Sequence, residues 1–275
     1  MSDSSLREGA LERTDAFTSF PPVSDAWRKR LLPVVALIVI LLAWEVCVRV
    51  FEVKPFVAPA PSAVASVLIS RFPLLMWNLQ PTVVETLLGF ALGNAVAVAL
   101  AILFVYRRTT EDALFPLAVM INTVPVVAVA PILVLLFGNG IASKMAIVAL
   151  VCFFPTLVNV ARGLRSVNPQ HLELMRILSA TEYEVFVKLR LKSALPYLFA
   201  AMKIAASTSV IGAIVSEWIG SNRGIGALIL QATYNFDSPL LYATIAVGSL
   251  FSVLFFAVVT LLERRYLKWS NWHAN

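Results

Sequence analysis

The chain has 275 residues, of which 59% are hydrophobic and only 14% charged. Soluble domains carry about a quarter charged residues, so a single water-soluble core is excluded and a bilayer is the solvent that accommodates this much Leu, Val, Ala and Phe. The net charge of +6 does not point to nucleic acid, because the basic residues lie between apolar runs and not in a separate basic domain.

Taken in chain order, residues 1–30 are polar, include Pro21 and Pro22, and lack the short apolar core and small-residue cleavage site of a secretory leader. They are expected to form a polar N-terminal tail. A membrane-spanning helix needs about 20 mostly apolar residues, and six stretches are predicted to span. The first runs from Leu31 to Phe51, the second from Thr82 to Val105 and the third from Ala113 to Phe137. The fourth runs from Ala142 to Val160, the fifth from Tyr197 to Trp218 and the sixth from Leu240 to Leu262. The predicted domains are the tail 1–30, a transmembrane domain over 31–269 and a C-terminal tail over 270–275. The fold class is all-α and polytopic.

Lys and Arg between the spans set the orientation. One side collects Arg28, Lys29, Arg30, Arg107, Arg108, Arg162, Arg165, Arg176, Lys188, Arg190, Lys192, Arg264 and Arg265. That side is expected to be cytoplasmic, with both termini on it. On the other side, Ala58-Pro59-Ala60-Pro61-Ser62 precedes an apolar-rich stretch the length of a short interfacial helix, with Ser62 as its expected N-cap. Residues 220–239 form a longer outer loop that Gly224 and Gly226 break between helical pieces.

The segment between spans four and five is too structured for a linker. Asn168 before Pro169 reads as an N-cap and first helical position, starting a helix to about Leu178. Ser179 and Ala180 break it. Thr181 with Glu184 forms a capping box, and a second helix is predicted from Glu182 to about Ser193. Leu172, Leu174, Met175, Ile177 and Leu178 give this helix-turn-helix more apolar surface than a solvated linker needs, so it is expected to dock, either on its own helix ends or on a partner.

Several side chains stand out inside the spans. Glu85 lies near the outer end of span two, where an ionisable group must face protein or water; interfacial solvation and a contact at the mouth of a pathway are the two readings. Glu45 and Arg49 have the favourable i,i+4 spacing. Lys203 can snorkel from span five or serve at a gate. Glu217 closes span five beside the outer loop and is a candidate contact for an external protein. Gly89 and Gly93 form a GxxxG, the spacing that lets helices approach closely. Cys47 and Cys152 lie in apolar runs and make no disulfide framework; His171 and His273 have no partner at ligand spacing, so no metal site is expected. Gly138 to Lys144 is no phosphate loop and Gly224-Ile225-Gly226 no dinucleotide motif, nor is there a nucleophile–base–orienter set. An enzyme is therefore not expected.

At these residues the sequence resembles the permease subunits of ATP-binding-cassette importers, in the branch named for nitrate, taurine and sulfonate uptake. That family carries a cytoplasmic Glu-Ala-Ala, a Gly four residues after the second Ala, and a later Leu-Pro. This chain has Glu173-Leu174-Met175, then Ser179-Ala180-Thr181, then Leu195-Pro196. Both alanines are replaced by larger residues, the Gly is Ser179, and an earlier family Pro is Lys192. Trp44-Glu45, Leu88-Gly89-Phe90, Ala130-Pro131, Phe153-Phe154-Pro155, Ser216-Glu217 and Leu262-Glu263-Arg264-Arg265 match in order, over about Trp44 to Trp269.

The resemblance implies that Glu173, Leu174, Met175, Ser179, Ala180 and Thr181 couple to cytoplasmic ATPase subunits, which use ATP and Mg while this chain binds no cofactor. It also implies a second permease copy, an extracytoplasmic binding protein and an inner-membrane location. Many sulfonate-type relatives have Arg where this chain has Glu85, which leans the substrate to a heterocycle such as a thiamine pyrimidine precursor or riboflavin; an anion (alkanesulfonate, taurine or nitrate) is the alternative. An ion-coupled secondary transporter and a non-transporting scaffold are the rival functions.

Overall fold

The computed structural model describes residues 25–267, with side chains from Leu31 onward. Residues 1–24 of the expected N-terminal tail, His273 and the tail 270–275 lie outside the described residues. Every regular element among the described residues is helical.

Residues up to Val53 and from Lys54 onward form two separate compact units. Among the described residues, the first holds the helix α1 (Asp25–Val50). Its stretch Leu31–Val50 has a mean hydropathy of 2.7, and at about 1.5 Å per residue it reaches roughly the 30 Å of a hydrocarbon core. The Glu45–Arg49 pair closes at 2.6 Å.

The second unit begins with α2 (Pro61–Ser70) and α3 (Phe72–Tyr106). The cap of α2 is Ala60, with Pro61 at the first helical position. This corrects the assignment of Ser62 as N-cap: proline's fixed φ starts the helix there without needing a side-chain acceptor. The second span is longer than expected, a single 35-residue helix that Pro73 opens and that runs through Pro81.

The third expected span is broken. It consists of α4 (Arg108–Thr123) and α5 (Val126–Phe137), bent by 104°. The cause is Pro125, which has no N–H to give and drives the preceding residue out of the α region; Val124 is extended at φ −75°, ψ 126°. Among the described residues five helices qualify as spans outright, and six if the bent pair counts as one.

Then follow α6 (Ile141–Arg165), α7 (Pro169–Ile177) and α8 (Glu182–Val185). A π-helical turn, Phe186–Arg190, joins α8 to α9 (Leu191–Glu217). The helix starting at Glu182 therefore does not stop near Ser193 but continues into span five. The outer loop contains α10 (Ile225–Tyr234), and α11 (Ser238–Tyr266) is the last described helix.

Helices α3, α6 and α9 form the heart of this unit. Small residues let them approach: a Cβ on Gly93 would come within 2.8 Å of Ala149 Cα, and one on Gly89 would collide with the Val148 side chain. Phe90, Val148, Cys152, Ala206, Val210 and Phe255 fill the middle layer. A layer below joins Phe104, Leu157 and Leu164 to Ala118 and Ala194. A layer above joins Leu75, Ile225, Leu228 and Leu240. Inside, Thr156 Oγ1 donates to Asn94 Oδ1 at 2.8 Å, which ties α6 to α3 and satisfies two polar groups that hydrocarbon cannot.

Candidate functional site

Two polar constructions stand at opposite ends of α3, which at about 1.5 Å per residue is roughly 50 Å long. Helix α7 and its turn lie at the Tyr106 end, and α10 at the Phe72 end.

At the first, Asn168 Oδ1 accepts from the Gln170 N–H at 2.9 Å, with Pro169 opening the helix. The exit is a Schellman turn: the Ser179 N–H donates to Arg176 O and the Ala180 N–H to Met175 O, each at 2.9 Å. This geometry holds Ser179 at φ +51°, the left-handed region that glycine enters freely and other residues enter at a cost. It explains why the resembling family has Gly at the matching place. Thr181 then starts the next helix, its Oγ1 accepting from the Glu184 N–H at 3.3 Å while Glu184 Oε2 accepts from the Thr181 N–H at 3.0 Å. Lys188 reaches back to Glu184 at 2.9 Å.

The apolar residues of α7 divide. Leu172 and Met175 turn half inward, whereas Leu174, Ile177 and Leu178 are 53%, 76% and 66% exposed. Glu173 and Thr181 are exposed beside them and Ala180 is half-buried. The six residues Glu173, Leu174, Met175, Ser179, Ala180 and Thr181 thus occupy one helix–turn.

At the other end, Glu217 is 1% exposed. Its Oε1 accepts from Thr82 Oγ1 and its Oε2 from the Gly226 N–H, both at 2.6 Å. The first N–H groups of α10 are satisfied together: Gly224 donates to Asn78 Oδ1 at 3.2 Å and Ile225 to Thr82 Oγ1 at 2.9 Å. A helix N-terminus carries partial positive charge, so a carboxylate is the natural anchor. Gly224 sits at φ +135° against the Glu217 carboxylate, leaving no room for a Cβ. Arg223 stacks on Trp77, 3.6 Å from the ring centroid, and donates to Trp77 O at 3.0 Å.

Glu85 is 3% exposed and pairs with Lys144 at 3.1 Å. The charge that leaned the substrate toward a heterocycle is therefore paired within the chain. Burial of Glu217 likewise places its carboxylate inside the fold and not on a surface that an external protein could touch. Lys203 holds Glu263 at 2.9 and 2.7 Å and does not snorkel freely. Gly89 and Gly93 serve packing within this chain.

Sequence reasoning missed Lys144, Thr82 and Asn78. Lys144 carried a usable signal, as the single cation in an otherwise apolar run. Thr82 and Asn78 carried none, because their partners lie more than a hundred positions away.

The family model for the binding-protein-dependent transport system inner membrane component matches residues 92–268. The formylaminopyrimidine transport permease protein ThiX of Halalkalibacterium halodurans is 35% identical over 240 residues, covering 87% of this chain and 96% of that protein. The riboflavin transport system permease protein RibX of Chloroflexus aurantiacus is 31% identical, covering 89% and 91%. The putative aliphatic sulfonates transport permease protein SsuC of Bacillus subtilis is 32% identical, covering 85% of each. Among solved structures, the crystal structure of an amino acid ABC transporter with histidines shares the fold, with a TM-score of 0.54 and 16% identity over 72% of this chain and 96% of that one. The chain belongs to the family of binding-protein-dependent transport system inner membrane components, and it is the multi-pass permease subunit of an ABC importer.

Proposed function

We propose that two copies of this chain form a pathway for a small organic nutrient, that an extracytoplasmic binding protein delivers the substrate, and that a cytoplasmic ATP-binding-cassette ATPase docks on α7 and its turn. The observation that carries this is the outward apolar face of Leu174, Ile177 and Leu178, held by capped turns on both sides. A solvated helix has no reason to keep three large apolar side chains outward beside a helix terminus fixed this firmly. Glu173 lies beside them to pair with a basic group of the ATPase, and Ser179, Ala180 and Thr181 let the two backbones approach. ATP and Mg belong to that partner. In this reading Glu85, Glu217 and Lys203 act by position: the first two hold the outer ends of α3, α6, α9 and α10 together, and Lys203 fastens α9 to α11.

For the substrate, we infer a heterocycle of the thiamine-pyrimidine or riboflavin kind. Its support is the likeness to ThiX at 35% and RibX at 31% identity. The 32% identity to SsuC favours an alkanesulfonate as the second reading.

The test is reconstitution in lipid with a candidate partner ATPase and binding protein. ATPase stimulation is measured while the binding protein is titrated with an aminopyrimidine, riboflavin, taurine, an alkanesulfonate and nitrate. Stimulation by a heterocycle is expected. Stimulation by an anion alone would replace the substrate reading and keep the importer. Leu178→Asp should abolish ATPase association while leaving the melting temperature of the permease unchanged; retained association would sink the docking assignment.

A further inference from the structure

The end of α3 and the α7–α8 turn enclose a cleft of about 290 Å³, lined by Val105, Tyr106, Leu172, Arg176, Glu182 and Arg190 among others. This is the lower limit of small-molecule sites, which begin at about 300 Å³. Its lining is of two kinds. Val105 and Leu172 give an apolar wall beside Tyr106, whose ring lies 5.6 Å from that of Phe186. Arg176 and Arg190 supply two guanidinium groups.

Neither arginine has a carboxylate partner within ion-pair distance among the described residues, whereas Arg165, Lys188 and Lys203 at the same end of the molecule are each paired. Arg190 Nη1 donates instead to a carbonyl, Leu164 O, at 3.4 Å. Its direction is set by the π-turn: the Leu191 N–H donates to Phe186 O, five residues back, and this wider turn rephases the helix at the point where Arg190 leaves it. Two guanidinium groups with Glu182 as the one carboxylate leave a single positive charge. The cleft also lies beside Tyr106, where the candidate span α3 ends.

We propose that this cleft binds a phosphodiester-type anion, with the phosphate on Arg176 and Arg190 and the apolar part of the ligand along Val105, Leu172 and Tyr106. Planar guanidinium forks match phosphate oxygens, and basic pockets beside spanning helices take acidic lipid headgroups. An acidic phospholipid supplies both the phosphate and the apolar part; a soluble phosphate supplies only the first. The proposal concerns this chain alone and does not rest on the substrate or the ATPase assignment, so its failure and theirs are separable.

The experiment is native mass spectrometry of the delipidated full chain in detergent, titrated with dioleoylphosphatidylglycerol, dioleoylphosphatidylcholine and, separately, inorganic phosphate. Phosphatidylglycerol should bind at least tenfold tighter than phosphatidylcholine, and the double variant R176Q/R190Q should lose roughly tenfold to thirtyfold of that affinity, from the effect of one basic side chain at an anionic headgroup taken twice. R264Q/R265Q removes the same charge from the last turn of α11 and should leave the preference intact. Leu172→Trp keeps both arginines but fills the cleft, and should also erase the preference. Phosphate binding that depends on Arg176 and Arg190, without a lipid preference, assigns the same site to a soluble anion. The proposal is overturned if R176Q/R190Q and Leu172→Trp bind both probes as the unaltered chain does, or if R264Q/R265Q loses as much as R176Q/R190Q.

Discussion

The Glu85 carboxylate lies 3.1 Å from the Lys144 ammonium, with the two side chains only 4% and 12% exposed. One belongs to α3 and the other to α6, so the pair ties the two helices together across their contact. Breaking a buried pair leaves an uncompensated charge and costs about 3–5 kcal/mol, whereas replacing both partners with apolar residues can be near neutral. Lys144→Met and Glu85→Leu should each lower the melting temperature sharply, and the double variant should recover most of the loss. Additive losses in a thermal-melt double-mutant cycle would show that the two side chains do not interact.

Glu217 accepts two hydrogen bonds of 2.6 Å, one of them from the α10 backbone at Gly226. A buried group left without its partner loses about 1–3 kcal/mol. Glu217→Ala should therefore free α10 selectively. Hydrogen exchange is expected to speed up at Ile225 and Gly226 by roughly fivefold to a hundredfold, at about 1.4 kcal/mol per tenfold, while the amides of α7 keep their rates. Uniform acceleration at both ends of the molecule would contradict a local anchor.

Ser179 at φ +51° departs from the residue that the turn favours. Left-handed backbone costs a side-chain-bearing residue about 1–2 kcal/mol, and glycine's extra freedom in the unfolded chain returns about 0.4–1 kcal/mol of that. Ser179→Gly should stabilise the turn by about 0.5–1 kcal/mol, seen as slower exchange of the Ala180 amide, and Ser179→Val should speed it. No change with glycine would mean that the serine conformation carries no strain.

Gly93 and Gly140 should respond differently to the same substitution. A Cβ at Gly93 meets the Ala149 backbone, with Ala149 O at 2.5 Å, whereas a Cβ at Gly140 meets nothing within 4 Å. Two helix backbones cannot give way as a flexible side chain can. Gly93→Ala should cost about 1–3 kcal/mol and lower the yield of folded protein in detergent, with Gly140→Ala near neutral. Equal tolerance, read by size-exclusion profile and melting temperature, would refute the close contact of α3 with α6.

Much of this protein could be read from local patterns. The apolar stretches long enough to cross a bilayer, the Asn168–Pro169 helix start and the Thr181–Glu184 capping box all depend on residues within a few positions of one another. So does the break in the third span, because Pro125 acts on the residue directly before it. The helix from Glu182, expected to end near Ser193, instead continues into span five with Pro196 inside α9, because packing along α6 offsets the hydrogen bond that a proline removes.

By itself, then, the sequence determined the solvent, the helical class and the capped turn that bears Ser179, since each follows from composition or from contacts within one turn of helix, while the family came through a resemblance of motifs spread along the chain. Only the tertiary structure decided what the buried charges do. Whether Glu85 and Glu217 face a pathway or one another's helices depends on which distant residue meets them, Lys144 for the first and Thr82 with Gly226 for the second. In a medium where an unpaired charge is costly, that meeting sets whether a carboxylate selects a substrate or holds two helices together.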